Sequence, residues 1–515
     1  MRFAVIIWLI PSLALGQDSL VHFKDLQFRT DFEQRAFYKY FNQKDEGATL
    51  ELLLSTAANP GGIVGNAQER IDQVVNRLRP EITSKKKPEK YVKSVYTDVH
   101  STFFKKYELV NRFQEIFQTG YYNCVTASAL YALVFEKLNI PYSIQEKPTH
   151  VFLIAYPNQN NILVETTAPV FGYLTFDARY KESFIKNLKA QKLIGSSEAE
   201  SQGVEELFNK YYFQNENINL HQLVGIHYMN DALYYGDAQD LVMALKQIDK
   251  AYFFYPSTRI SYIMMSLVVQ SLSTQNPKPL ERAKLIARAA QFSKQGITPD
   301  MIKGEFAQLT SNLLVRDNNK ALYRECYEML SKKIEDKELR NDIGYYYNYE
   351  LGRVFFNQGN YSPAKSHFAK AMQFQPNNAD LGGVFISALA NSLRNEKDSQ
   401  ALMDTLSAYE KRFPTLQENN NFLSMVSMTT VMAFGDAMRD GNVVQGEKFQ
   451  TKFEKMMAAN KDLNTPSGVI GTAYSAASSY YFKRGQKARA KAVLDKGLQF
   501  APNDFELRRR KQMIN

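Results

Sequence analysis

The stretch YYYNYELGRVFFNQGNYSPAKSHFAKAMQFQPNN, residues 345–378, constrains the fold of this chain more than any other. Two helical segments flank Gly359, and each marked position has a mechanical reason. Gly352 and Ala364 are small, which lets two antiparallel helices approach closely. The aromatic residues Phe355 and Phe368 fill the angle between neighbouring helix pairs, and Pro376 stops the second helix. Such a hairpin is one unit of a stack.

Two weaker copies flank it. HYMNDALYYGDAQDLVMALKQIDKAYFFYP carries Ala232, Tyr235, Ala244, Ala251 and Pro256; YSAASSYYFKRGQKARAKAVLDKGLQFAPND carries Tyr481, Gly485, Ala490, Leu494 and Pro502. Between them, AFGDAMRDGNVVQGEKFQTKFEKMM keeps the glycine turn and is expected to lose the small-residue contacts. With Leu351-Gly352, Phe355, Ala364, Phe368, Ala371 and Pro376, the central stretch resembles the tetratricopeptide repeat with one aromatic exchanged. The resemblance implies that residues 206–515 form an all-α tetratricopeptide-repeat α-solenoid with several degenerate repeats. It also implies a concave face that grips a peptide or protein partner. The other reading is an array that only supports the N-terminal domain.

At the N-terminus, Arg2 precedes an apolar run from Phe3 to Ile10, and Ala14 and Gly16 are spaced for cleavage. The run is too short to span a bilayer, so residues 1–16 read as a secretory signal peptide. An exported protein, periplasmic or secreted, is expected. No later segment approaches the roughly 18 uninterrupted apolar residues of a transmembrane helix. The composition, 44% hydrophobic and 23% charged, is that of a globular chain. The net charge of +10 is spread out, apart from Lys85–Lys87 and Arg508–Lys511. Those runs read as solvated faces, and no nucleic-acid motif accompanies them.

Residues 17–205 have a different texture. Helical patterns such as ERIDQVVNRL and VYTDVHSTFFKKYELVNRFQEIF lead to a helix beginning at Cys124, then apolar strands, then a helix in ARYKESFIKNLKAQKL. Helices followed by an antiparallel sheet argue for a compact α+β domain.

Within it, Asn123 is a good N-cap, and Ala129, Leu130, Leu133, Val134 and Leu138 form the apolar face of CVTASALYALVFEKL, ended by Asn139 and Pro141. Cys124 then holds the first helical position, where the dipole favours thiolate and free backbone N–H groups face an incoming oxyanion. HVFLIAY and NILVETT read as two strands of a hairpin around PNQNN, placing His150 and Glu165 at the same end of the sheet. A four-residue loop, 158–161, puts both on one face; a three-residue loop does so only with a bulge. Nucleophile, strand histidine and neighbouring carboxylate are what thiol acyl transfer requires.

YNCVTASALYALVFEKLNIPY, PTHVFLIAY and ILVETT resemble the cysteine, histidine and acid segments of the transglutaminase-like branch of the papain-like superfamily, over roughly residues 65–180. The resemblance implies Cys124 as nucleophile, His150 as general base and acid, and Glu165 as its orienting partner. That family usually carries aspartate as the acid, and Asp177 is the alternative third member. The tryptophan that the family often places near the histidine is missing.

Cys326 falls on the stripe Leu322, Cys326, Leu330 and reads as a small core residue; a Cys124–Cys326 disulfide is the other arithmetic option and would silence Cys124. The histidines show no zinc-site spacing, and no phosphate or dinucleotide loop occurs, so neither a metal nor a cofactor is expected. Two functions stay open: an exported thiol enzyme acting on amides or peptides, by hydrolysis or transamidation, with a repeat array for protein binding; or a non-catalytic scaffold in which the solenoid does the work.

Overall fold

A computed structural model describes residues 20–514 apart from 44–46, 84–86, 148–149, 168–172, 176–177 and 275–276; between 179 and 216 only 181–182, 185–186, 189, 202–204 and 206–208 are described. The expected signal peptide at 1–16, the alternative acid Asp177, and most of the helix expected over 178–193 lie outside the described residues. The chain divides into two compact units, Met1–Pro277 with Lys294–Gly296, and Lys278–Ser293 with Ile297–Asn515.

The first unit begins with four helices, α1 (Asp31–Tyr38), α2 (Gly47–Leu54), α3 (Val64–Thr83) and α4 (Pro88–Phe103). Short strand β1 (Lys106–Tyr107) pairs in parallel with β2 (Tyr121–Tyr122), with the one-turn helix α5 (Glu115–Gln118) between them. Helix α6 (Cys124–Leu138) follows, then β3 (Tyr142–Lys147), β4 (His150–Ala155), β5 (Ile162–Val164), β6 (Tyr173–Thr175) and β7 (Asn217–Ile218). These five strands form one antiparallel sheet in the order β6-β5-β4-β3-β7.

Helix α6 is buried on nearly every side, as expected of a helix that is apolar around its circumference. Its C-terminus stops at Asn139, which takes the left-handed conformation (φ 54°), and the Ile140 N–H reaches back to the Phe135 carbonyl. It packs along β4, a central strand whose residues from Val151 to Ala155 are all buried. The coarse expectation of helices plus an antiparallel sheet is met.

Past the sheet, the first unit takes in α7 (Leu220–Asp237), α8 (Leu241–Phe254) and α9 (Thr258–Thr274). The α7–α8 pair is the weak repeat copy at 227–256, and α7 packs on both α2 and α6. A chain of buried polar groups fixes it there. Glu33 of α1 accepts hydrogen bonds from Lys250 Nζ at 2.8 Å and from the Tyr228 hydroxyl at 3.1 Å. Lys250, with no solvent exposure, also donates to Gln247 Oε1, and Gln247 Nε2 donates to Asp231. Asp231 in turn receives Arg112 Nε at 2.6 Å. A buried charge without such partners costs several kcal/mol.

The second unit is all helix: α10 (Pro279–Ala289), α11 (Pro299–Thr310), α12 (Lys320–Lys333), α13 (Lys337–Asn357), α14 (Tyr361–Phe374), α15 (Ala379–Leu393), α16 (Ser399–Arg412), α17 (Asn420–Arg439), α18 (Val443–Ala459), α19 (Ser467–Lys483), α20 (Lys487–Phe500) and α21 (Phe505–Ile514). The tightest neighbours, α13 with α14, carry the central repeat. A Cβ on Gly352 would stand 2.6 Å from the Phe368 ring, which is why that position is glycine.

One expectation is corrected. The copy at 433–457 keeps its small-residue contacts: a Cβ on Gly435 would lie 2.9 Å from the Ala473 Cα, and one on Gly446 would lie 2.6 Å from the Met438 sulfur. A second regularity spans both units. The residue just before the second helix's N-cap is left-handed at Gly359, Gly441 and Gly485, and also at Gln239 (φ 61°) and Asn318 (φ 46°).

Candidate active site

Asn123 organises the start of α6. Its Oδ1 accepts the Thr126 N–H at 2.9 Å, while its own N–H donates to Thr126 Oγ1 at 2.9 Å, a reciprocal capping box. The Ala127 N–H bonds the Asn123 carbonyl. Of the first-turn N–H groups, those of Cys124 and Val125 are left without a protein partner among the described residues. The Asn123 Nδ2 reaches out to the carbonyls of Leu109 (3.1 Å) and Asn111 (3.3 Å) and to the Tyr234 hydroxyl (3.3 Å). Tyr234 donates to the Leu109 carbonyl at 3.1 Å and accepts the Asn111 N–H at 3.3 Å. Segment 109–111, the cap and α7 are thereby one hydrogen-bonded cluster.

Four residues into the helix, Ser128 lies on the same side as Cys124. Its buried hydroxyl donates to the Val151 carbonyl at 3.1 Å and lies 3.4 Å from Thr166 Oγ1. This clip sets α6 against the beginning of β4 and the end of β5, and so brings Cys124 toward His150.

The hairpin differs in length from the four-residue expectation. Strand β4 ends at Ala155 and β5 begins at Ile162, with Leu153 opposite Val164. The connection is therefore two residues longer, which preserves the side-chain parity. Extending the pairing by one step sets Phe152 opposite Glu165, with His150 two residues away on the same face. Glu165 lies just beyond β5. His150 Nε2 is 2.8 Å from Glu165 Oε2 and 3.0 Å from Oε1. The carboxylate is held from its other side by the Thr167 N–H at 3.0 Å and hydroxyl at 2.8 Å, both on Oε1. The imidazole stacks on Phe152, with ring centroids 5.8 Å apart.

The Cys124 thiol also acts on the His150 imidazole, which keeps its Nε2 on Glu165. Hydrogen bonds to Cys124 and then to Glu165 push the imidazole up to about 10, against the opposing effect of burial. Burial pulls Glu165 upward, but the His150 and Thr167 hydrogen bonds win and hold its carboxyl below the usual range. The structure thus brings Cys124, His150 and Glu165 together. Both cysteines are free, and Cys326 is buried in α12, where burial raises its thiol to about 11.

The rim is apolar. Leu109 and Val110 are 72% and 58% exposed beside the Asn123 cap, and Tyr107, in register with Tyr122 two residues before Cys124, is 43% exposed. Asn111, Ser128, Thr167 and Tyr234 were not picked out from the sequence. Ser128 had a local signal, a polar residue one turn from Cys124 in an apolar helix; Tyr234, more than a hundred residues away, had none. No group of three or more metal-ligating side chains occurs among the described residues, and no described helix is long and apolar enough to cross a membrane.

A tetratricopeptide-repeat family model matches residues 345–378, most of the α13–α14 hairpin with its turn, and supports a protein-binding repeat there. No curated protein matches the chain.

Proposed function

We propose that this protein is an exported, transglutaminase-like thiol acyl-transfer enzyme acting on a carboxamide or peptide bond, with a repeat module that takes a protein partner. The observation that carries the reading is His150, bound through Nε2 to Glu165, with the Cys124 thiol among the groups that raise its imidazole. That is the order of groups needed to take a proton from sulfur and keep the imidazole oriented.

In this scheme the Cys124 proton passes to His150, whose charged form Glu165 stabilises. The sulfur forms a bond to the carbonyl carbon, and the C=O π pair moves onto oxygen. The free N–H groups of Cys124 and Val125 face the oxyanion. Collapse re-forms the carbonyl and breaks the C–N bond, and the departing nitrogen takes the proton from His150. The thioester is then attacked by water, giving an acid, or by an amine, giving a new amide; His150 accepts that proton and returns it to sulfur. The exposed Leu109, Val110 and Tyr107 favour an apolar side chain beside the scissile bond.

The experiment is iodoacetamide labelling of native Cys124 from pH 5 to 9, read by mass spectrometry. Rapid labelling near pH 6, moved to about pH 8.5 by His150→Ala, is the expected result. Labelling only after unfolding, or a Cys124→Ala protein that keeps its activity on an amide substrate, sinks the enzyme. The repeat match at 345–378 favours a second reading, a binding scaffold in which Cys124→Ala is silent and surface changes in the second unit abolish function.

A further inference from the structure

Helices α12, α13 and α14 enclose an open cavity of about 650 Å³ in the second unit. Each presents one stripe to it: Lys320, Arg324 and Tyr327 from α12, Tyr347 and Phe355 from α13, Lys370 and Phe374 from α14. The stripes run for about eight residues, or roughly 12 Å of helix, a length that accommodates three or four residues of extended chain.

The two ends of the cavity differ in chemistry. At one end Lys320 lies over the Phe355 ring at 5.3 Å, and His367 stacks on the other side of the repeat hairpin's turn against the same ring. Midway along, Arg324, which acts on both Tyr347 and His367, and Lys370 are exposed and, among the described residues, neither is held in an ion pair. The field there is positive: His367 is driven down to about 4 by burial and then by the Lys370 and Arg324 charges, and its Nδ1 is within hydrogen-bonding distance of Asn348 Oδ1. At the other end Tyr327 stacks flat on Tyr347 with centroids 3.8 Å apart. Phe374 turns in over Gly344, where a Cβ would lie 2.6 Å from its ring. Three cations thus face a single lining carboxylate, Glu328.

We infer that this cavity binds a short acidic peptide segment, with one or two carboxylates between Lys320, Arg324 and Lys370 and an apolar or aromatic side chain on the Tyr327–Tyr347 pair. Charge sign and length select this occupant: an uncharged peptide leaves three cations without a counter-charge, and a small inorganic anion leaves the aromatic end uncovered. The assignment names the chemistry of the partner for the repeat module and does not depend on the reactivity of Cys124.

The test is calorimetric titration of the full chain with an end-blocked pentapeptide of alternating phenylalanine and aspartate, and with its asparagine counterpart. We expect the aspartate peptide to bind at least about tenfold more tightly, with an affinity that falls as salt rises. Arg324→Glu and Lys370→Glu should each weaken it by about tenfold or more, whereas Lys333→Glu, the same charge change outside the cavity, should stay within about twofold. Circular dichroism confirms that the exposed-site variants fold. Equal binding of the two peptides, no binding of the aspartate peptide at about 1 mM, or equal losses in all three variants overturns the assignment. Displacement of the peptide by inorganic phosphate at matched ionic strength, with Kd values alike, would make this a small-anion site and also overturn it.

Discussion

The Tyr234 hydroxyl lies 3.3 Å from the side-chain nitrogen of Asn123, so a helix of the first repeat-like pair touches the cap of the helix that begins with Cys124. The same hydroxyl holds segment 109–111 in place. Tyr234→Phe removes one atom that joins all three groups. A lost hydrogen bond is worth about 1 kcal/mol, so we expect Cys124 labelling at pH 6 to slow about fivefold. The melting temperature should move by no more than a few degrees. Unchanged labelling would make the contact structural only.

His150 and Glu165 give the site a definite pH response. The folded state raises His150 to about 10, so its contribution to stability is whole below the ordinary imidazole value near 6.5 and disappears as pH rises through 10. Glu165 is held below its usual range, so its contribution is whole above about 4.3 and fades as pH falls below that. Glu165→Gln should therefore cost most between about pH 4.5 and 6.5, on the order of 2 kcal/mol for a lost charged hydrogen bond, and little above pH 10. Urea midpoints of the two proteins at pH 6 and pH 10 check this; an equal deficit at both contradicts the ion pair.

Gln239 occupies a backbone position that three other hairpins give to glycine. A left-handed conformation costs an ordinary L-residue about 1 kcal/mol. Gln239→Gly should raise stability by somewhat less than that, because glycine also loses more entropy on folding. A thermal melt showing destabilisation would mean that the Gln239 side chain contributes more than its backbone costs.

Lys250 and Glu33 are both without solvent exposure and 2.8 Å apart. Burial lowers the Lys250 ammonium, and the Glu33 charge opposes that effect. Lys250→Met strands a buried carboxylate and should cost about 3–5 kcal/mol; adding Glu33→Gln should recover most of it. Hydrogen exchange over 31–38 and 241–254 reads the effect, and a double variant no better than the single one would contradict the pairing.

Local patterns made part of this legible in the sequence. The cap at Asn123, the apolar run of β4 and the side-chain parity across the hairpin are properties of neighbouring residues, and together they were enough to single out Cys124, His150 and Glu165. The repeat at 345–378 was legible because its glycine and alanine positions are fixed by helix contact. Asn318 hid a further turn, and Gln239 weakened the pattern of the copy at 227–256, since both adopt glycine's conformation without its signature. Gly435 and Gly446 are small because of Ala473 and Met438, close approaches that only the folded chain reveals. The Glu33–Lys250 pair and the Tyr234 contact join residues separated by more than a hundred positions, and no local periodicity encodes such a meeting.

The buried chain from Glu33 through Lys250, Gln247 and Asp231 to Arg112 has a consequence for modularity. A gene fragment ending at residue 205 would encode the cysteine, histidine and glutamate yet leave Glu33 and Arg112 bereft of their counter-charges. The smallest portable piece carrying this chemistry extends past 254, so shuffling or fusion that respects the sheet but cuts before α7 would transfer the residues without transferring a protein.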